Sequence, residues 1–114
     1  MALNSSQKAK YERLVLRELS AVLPSQFQWT TPGALITVTD VRLSPDLSIA
    51  RIQLSVYPLE YRSTVLNHCE ENKGAIRFAL GQRLRSKMRR VPELYFYIDE
   101  FYDKLERINQ LLKK

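Results

Sequence analysis

Along residues 49–57, IARIQLSVY, apolar and polar side chains alternate: Ala50, Ile52, Leu54 and Val56 point one way, Arg51, Gln53, Ser55 and Tyr57 the other. A strand of this kind belongs to a sheet with one buried face, so helices must cover that face and leave the other open. The preceding run, ALITVTDVRLS, joins it through Ser44-Pro45-Asp46-Leu47, with proline where a type I turn wants its fixed φ. A β-hairpin is the economical reading.

Around this hairpin the rest of the chain supplies the cover. Ser5 or Ser6 can cap a helix that runs to about Leu23 and is stopped by Pro24. Its apolar arc is Tyr11, Leu14, Val15, Leu19, Val22 and Leu23, with Lys10, Arg13 and Arg17 on the opposite side. The loop PSQFQWTTPG follows, and its Phe27 and Trp29 are expected to fold back onto the core. After Pro58, residues 61–71 can form a second helix that leads into Asn72-Lys73-Gly74, where the glycine marks a C-cap or a kink. Gly74 is expected to need a backbone conformation that alanine adopts only at a cost. A third helix runs from Ala75 to about Met88, with Ile76, Ala79, Leu80, Leu84 and Met88 on its apolar side. VPELYFYIDE gives a third strand with Leu94, Phe96 and Ile98 on one face and Tyr95 and Tyr97 on the other. Residues 101–112 form a final short helix striped by Phe101, Leu105, Ile108 and Leu112. The order is α, β, β, α, α, β and a terminal helix.

At 114 residues with 45% apolar and 26% charged side chains, the whole chain, 1–114, reads as one folded α+β domain. No apolar run approaches the ~20 residues that span a bilayer, and the N-terminus lacks the apolar core of a signal peptide, so a cytoplasmic protein with no membrane partner is expected. One cysteine and one histidine leave no internal disulfide and too few soft ligands for zinc.

The charge is uneven. Residues 72–92, NKGAIRFALGQRLRSKMRRVP, hold seven cations, Lys73, Arg77, Arg83, Arg85, Lys87, Arg89 and Arg90, and no carboxylate, whereas the rest of the chain carries eleven Lys and Arg against twelve Asp and Glu. The bland alternative is a solvated helix face. Such faces usually mix signs, since Glu and Lys four residues apart support a helix and like charges repel. Seven cations without a carboxylate among them call for an external anion, and a phosphate backbone is the obvious one. Arg77, Gly81 and Arg85 share one ridge, and a mid-helix glycine costs roughly 1 kcal/mol relative to alanine, so something is expected to approach closely at Gly81. Replacing Arg77 and Arg85 by Gln is expected to weaken RNA binding without touching the fold. Lys10, Arg13 and Arg17 extend the same electropositive surface.

Other constellations are weaker. Tyr57, Tyr95 and Tyr97 could stack on bases, but cross-strand packing of β-favouring aromatics explains them more simply. Asp40, Asp46 and Asp99 do not make a convincing magnesium site, because Asp46 suits the turn and Asp99 the end of a strand. His68 and Cys69, adjacent on a helix, point about 100° apart and cannot easily meet as a base and nucleophile. Neither catalysis nor a metal or cofactor is expected.

Four segments then carry a resemblance. ITVTDVRLSPDLSIARIQLSV resembles the hairpin of bacterial ribosome-binding factor A, close to ITVTDVxxSPDLSxAxVxVSV. IRFALGQRLR is similar to the I-R-x-x-L-G-K-x-L-R run of that family's third helix, VPELYFYID to its VPELxFxxD strand, and RINQLL to its closing R-I-x-x-L-L. They occur in the family's order and span nearly the whole chain.

The resemblance implies a KH-like fold of the bacterial type II, α-β-β-α-kink-α-β, with a three-stranded sheet covered by helices on one face. It also implies a small, monomeric, non-enzymatic cytoplasmic protein. Such a protein binds the immature 30S small ribosomal subunit and its 16S ribosomal RNA and assists late rRNA processing, often under cold stress, with an assembly GTPase as a candidate partner. Ordinary KH domains clamp the nucleic-acid backbone with a Gly-X-X-Gly loop. This family has an Ala-X-Gly kink there, and Asn72-Lys73-Gly74 keeps the glycine but replaces the alanine, which puts close packing at that position in doubt. A further departure is the stretch of ten residues between Gly81 and Pro92, longer than the common pattern, so the helix end is expected to be shifted or looped out. The chain ends at Leu-Leu-Lys-Lys, soon after the last helix, so a function the family places in a longer tail is expected to be absent. The alternatives are a KH-type binder of other structured RNA, and a protein-interaction module whose basic helix meets an acidic partner.

Overall fold

In the computed structural model, which describes residues 4–26 and 33–112 with the side chains of 101–106 excepted, the hairpin is the centre of the molecule. Strand β1, Leu35–Leu43, pairs antiparallel with β2, Ile49–Tyr57, and β2 pairs in parallel with β3, Glu93–Ile98, giving the order β1-β2-β3. The alternation in β2 sorts as expected: Ala50, Ile52, Leu54 and Val56 are buried, while Arg51 and Tyr57 are exposed. A register shift between Val38 and Asp40 keeps both Val38 and Val41 facing the core.

The turn is held by one carboxylate. Asp46 Oδ1 accepts hydrogen bonds from the Ser44 and Ser48 hydroxyls at 2.8 and 2.7 Å and from the Ser48 amide at 3.1 Å. These donors lower the Asp46 pKa to about 2. Leu47 follows at φ 63 and its amide donates to the Ser44 carbonyl at 2.9 Å, which closes the turn.

Helix α1, Ser5–Gln26, is capped by Asn4 rather than by Ser5 or Ser6. The Asn4 side chain accepts from the Gln7 amide at 2.8 Å while the Gln7 side chain accepts from the Asn4 amide at 3.3 Å, a reciprocal capping box. Pro24 lies inside the helix and does not end it, since its fixed φ is itself helical and the buried Leu23 anchors the last turn. Phe27 and Trp29 lie outside the described residues.

A short 3-10 turn, Leu59–Tyr61, leads into α2, Arg62–Glu71, and then into α3, Lys73–Leu84. The break between α2 and α3 is Asn72 alone, at φ −111 and ψ 19. Its backbone amide and its side-chain Nδ2 both donate to the His68 carbonyl at 2.9 Å, and its own carbonyl accepts from Ile76. The expectation for Gly74 fails: it sits in the first turn of α3 without a positive φ, and a Cβ there would meet nothing within 4 Å. The third helix ends four residues before Met88, because the Lys87 and Met88 amides both turn back onto the Leu84 carbonyl at 2.8 and 2.9 Å. Helix α4 spans Phe101–Leu112, with Ile108 and Leu112 exposed, and the side chains of Phe101 and Leu105 lie outside the description.

The core is one cluster against one face of the sheet: Val15, Leu19 and Leu23 from α1, Val65 and Cys69 from α2, Ile76, Leu80 and Leu84 from α3, and the inward residues of the strands. Burial pushes the Cys69 thiol up to about 12, so this cysteine packs as a small apolar side chain. No helix among the described residues is long and apolar enough to cross a membrane.

Candidate nucleic-acid interface

Six of the ten cations singled out in the sequence meet in one place. Lys10, Arg13 and Arg17 on the outer side of α1 face Lys87, which the turn after α3 brings across to them, and together with Tyr11 and Leu14 they line a groove of about 560 Å³. Tyr11 is shared with a second cleft, of about 420 Å³, whose other walls are the hairpin tip, Pro45, Asp46 and Leu47, and the residues Met88, Arg89 and Arg90. Six cations thus surround one half-buried tyrosine. Arg13, Arg89 and Arg90 are exposed, and among the described residues no carboxylate lies in salt-bridge contact with them.

Beneath the groove sits a residue that charge counting along 72–92 misses. Glu18 lies on the core side of α1 and is only 6% exposed. Its carboxylate accepts from Arg83 Nε at 2.6 Å and lies 3.5 Å from Lys87 Nζ and 3.4 Å from Arg17 Nε. The hydrogen bond from Arg83, with the nearby positive charge, holds the Glu18 carboxyl below its ordinary range despite the opposing cost of burial. The signal was present in the heptad-like row Tyr11, Val15, Glu18, Val22, which puts a carboxylate on the apolar arc. So the seven cations of 72–92 are not all uncompensated. Arg83 is anchored by α1, and Lys73 pairs with Glu70 at 3.2 Å while lying 4.6 Å from the centre of the Tyr95 ring.

Arg77 corrects the sequence picture most. It is exposed, like Arg85, but its Nε and Nη2 donate to the carbonyls of Pro92 and Val91 at 3.1 and 2.6 Å. The segment after α3 returns here, and a Cβ on Gly81 would come within 3.0 Å of Val91 Cγ2. Something does approach Gly81 closely, and it is this chain's own Val91. The long Gly81-to-Pro92 stretch therefore finishes α3 and then forms a loop, 85–92, strapped against the helix by Arg77 and the absence of a side chain at Gly81. Lys73, Gly74 and Arg77 line a separate cleft of about 300 Å³ with Glu93, Leu94 and Tyr95 at the free edge of β3. Arg85, the C-cap of α3, is exposed.

Phe78 is a further residue that sequence reasoning passed over. It is 70% exposed on the outer side of α3, one position from Arg77 and outside the apolar stripe. Asp40 lies against Arg42 at 2.9 Å and Asp46 carries the turn, which accounts for both without a metal ion.

A three-stranded β1-β2-β3 sheet with helices on one face, and two helices joined at a single-residue break, define a KH-like α+β fold of the bacterial type. The family model described as "Ribosome-binding factor A" matches residues 7–112. Ribosome-binding factor A of Chlorobaculum tepidum is 40% identical over 105 residues, covering 91% of this chain and 86% of that protein. That of Prosthecochloris aestuarii is 37% identical, covering 96% and 89%. The crystal structure of ribosome-binding factor A from Thermus thermophilus superposes with a TM-score of 0.68 at 27% identity, over 80% of this chain and 94% of that one. A homology model of the same Thermus factor, fitted into a cryo-electron microscopy map of its complex with 30S, gives 0.68 at 29% identity, over 82% of this chain and 96% of that one. The chain belongs to the ribosome-binding factor A family.

Proposed function

We propose that this protein is a non-enzymatic ribosome assembly factor of the cytoplasm. It binds the immature 30S subunit and its 16S ribosomal RNA as a monomeric single domain and assists late maturation. The observation that carries this reading is the meeting of Lys10, Arg13, Arg17, Lys87, Arg89 and Arg90 around Tyr11, drawn from two distant parts of the chain. A groove with cations on both sides, Lys10, Arg13 and Arg17 facing Lys87, fits a phosphate backbone better than a lone charged helix does. Family membership, and the 30S complex in which the Thermus factor was placed, support the choice of partner. Asn72, Lys73 and Gly74 act in this reading as the joint that sets α3 against α2, with Lys73 and Arg77 serving the fold more than the RNA.

Replacing Arg13, Arg89 and Arg90 together by Gln is the test. Each deleted phosphate contact should make the fall of log K with log salt shallower by roughly 0.7 to 0.9, so the triple variant should lose about 2 from its slope and bind small subunits more than tenfold more weakly at moderate salt. Its melting curve should match the wild type, since no ion pair within the described residues is removed. A wild-type slope in co-sedimentation with 30S subunits would show that these arginines touch no phosphate. Capture of structured RNA with no preference for small subunits would instead favour a general KH-type binder.

A further inference from the structure

The sheet face turned away from the helices takes no part in the surface above. Across it the register sets Arg42 opposite Arg51 and Arg51 opposite Tyr95, and in the next row Asp40, Gln53 and Tyr97 stand side by side. Like charges directly opposite one another destabilise a strand pair. Asp40 relieves Arg42 at 2.9 Å, which leaves Arg51 exposed and, among the described residues, without a carboxylate in salt-bridge contact. Glu93 is another anion on this face, 3.5 Å from the Tyr95 hydroxyl, and Asp99 lines a cleft with Thr37, Thr39, Ser55 and Tyr57 beyond Tyr97.

The two tyrosines are not packed away. Tyr95 and Tyr97 are 46% and 37% exposed, and their cross-strand neighbours are Arg51 and Gln53 rather than other rings. Two residues apart on one strand, they lie about 6.6 Å from each other along it, a spacing suited to successive unstacked bases of an extended strand. Lys73 reaches round the free edge of β3 to within 4.6 Å of the centre of the Tyr95 ring.

We propose that this open face is a second nucleic-acid site, which takes single-stranded RNA by stacking adjacent bases on Tyr95 and Tyr97 with Arg51 against the phosphates. Every base has a π face, so such a site tolerates sequence, and alternation along β3 already aims both rings outward. It lies across the sheet from the groove around Tyr11, so one molecule can hold a structured RNA segment on one side and an unpaired strand on the other. The site goes beyond the subunit binding proposed above and stands or falls separately from it.

The experiment uses the full chain carrying Arg13→Gln, Arg89→Gln and Arg90→Gln, so that the groove is quiet, and a fluorescein-labelled ten-nucleotide oligouridylate read by anisotropy. Adding Tyr95→Ala and Tyr97→Ala should weaken binding at least about tenfold. Tyr95→Phe with Tyr97→Phe, which keeps the rings, should bind within about twofold of the parent. Arg51→Gln alone should make the salt slope shallower by about 0.7, the value for a single strand. If the alanine pair binds like the parent, or the phenylalanine pair loses as much as the alanine pair, stacking is excluded and the proposal is overturned. It is equally overturned if oligouridylate binding is untouched while the alanine pair loses affinity for intact small subunits, because the face then meets a protein.

Discussion

Arg77 and Arg89 are both arginines of one carboxylate-free run, yet the fold uses them in opposite ways. Both are exposed, but the Arg77 guanidinium is held by the carbonyls of Val91 and Pro92, while Arg89 stands on the wall of a cleft beside Arg90 and the hairpin tip. The same division separates Arg83 and Lys73, which meet Glu18 and Glu70, from Arg13 and Arg85, which meet no carboxylate among the described residues. Density of positive charge along a sequence is therefore a poor measure of charge available to a ligand. What counts is which cations the backbone and the few carboxylates have already claimed.

Arg77→Gln should break this comparison most sharply. It removes two hydrogen bonds that strap the 85–92 loop to α3, one of them at 2.6 Å, and should lower stability by about 1 to 2 kcal/mol. Thermal unfolding should show a drop of about 5 °C or more, with the RNA salt slope unchanged once the protein is folded. Arg85→Gln, eight residues on, should leave the melting temperature alone. Equal stability of the two variants would place Arg77 back among the ligand-facing cations.

A smaller effect is expected at Gly74, which shares the β3-edge cleft with Lys73 and Arg77. A Cβ there enters open space and its backbone is helical, so Gly74→Ala should stabilise the protein by roughly 0.5 to 1 kcal/mol through helix propensity. RNA affinity should not change if the cleft serves the fold. A loss of subunit binding with a raised melting temperature would mean that a backbone phosphate approaches Gly74 closely, and would move the interface to the edge of β3.

These outcomes also measure how far the sequence could be read. Period-two alternation in β2 and the apolar stripes of α1 and α3 are local patterns, and they placed the sheet, its buried face and most of the core correctly. Helix ends were less legible, because they depend on partners outside the helix: Asn4 caps through Gln7, and α3 stops where two amides converge on one carbonyl of Leu84. The candidate interface was legible only as a list of cations. That Lys87 crosses to Arg13 and Arg17 while Arg77 is held by the carbonyls of Val91 and Pro92 follows from the direction of the loop after Leu84, a tertiary fact with no local period. Glu18 was the one visible clue, since a carboxylate on an apolar arc demands a cation partner from elsewhere in the chain.

The smallest effect concerns the hairpin tip, the wall carrying Asp46 that faces Arg89 and Arg90. Asp46 is exposed, so its value to the fold lies in the three hydrogen bonds its carboxylate accepts from Ser44 and Ser48. Its folded pKa of about 2 is depressed from an ordinary 3.8. A depressed carboxyl contributes stability that is fully present above the unfolded pKa and is lost as pH falls through the folded one. The contribution should therefore be constant from neutral pH down to about 4 and disappear between there and about 2. Asp46→Asn keeps an acceptor oxygen for the turn but cannot titrate, so the variant should show a flatter acid limb in a melting-temperature series over that interval. At neutral pH it should bind small subunits at least as well as wild type, because an anion has been removed from beside Arg89 and Arg90 and no cation has been lost. A weaker-binding Asp46→Asn variant with an unchanged fold would show that the hairpin tip touches the ligand itself, and the two sides of the cleft would then contribute alike.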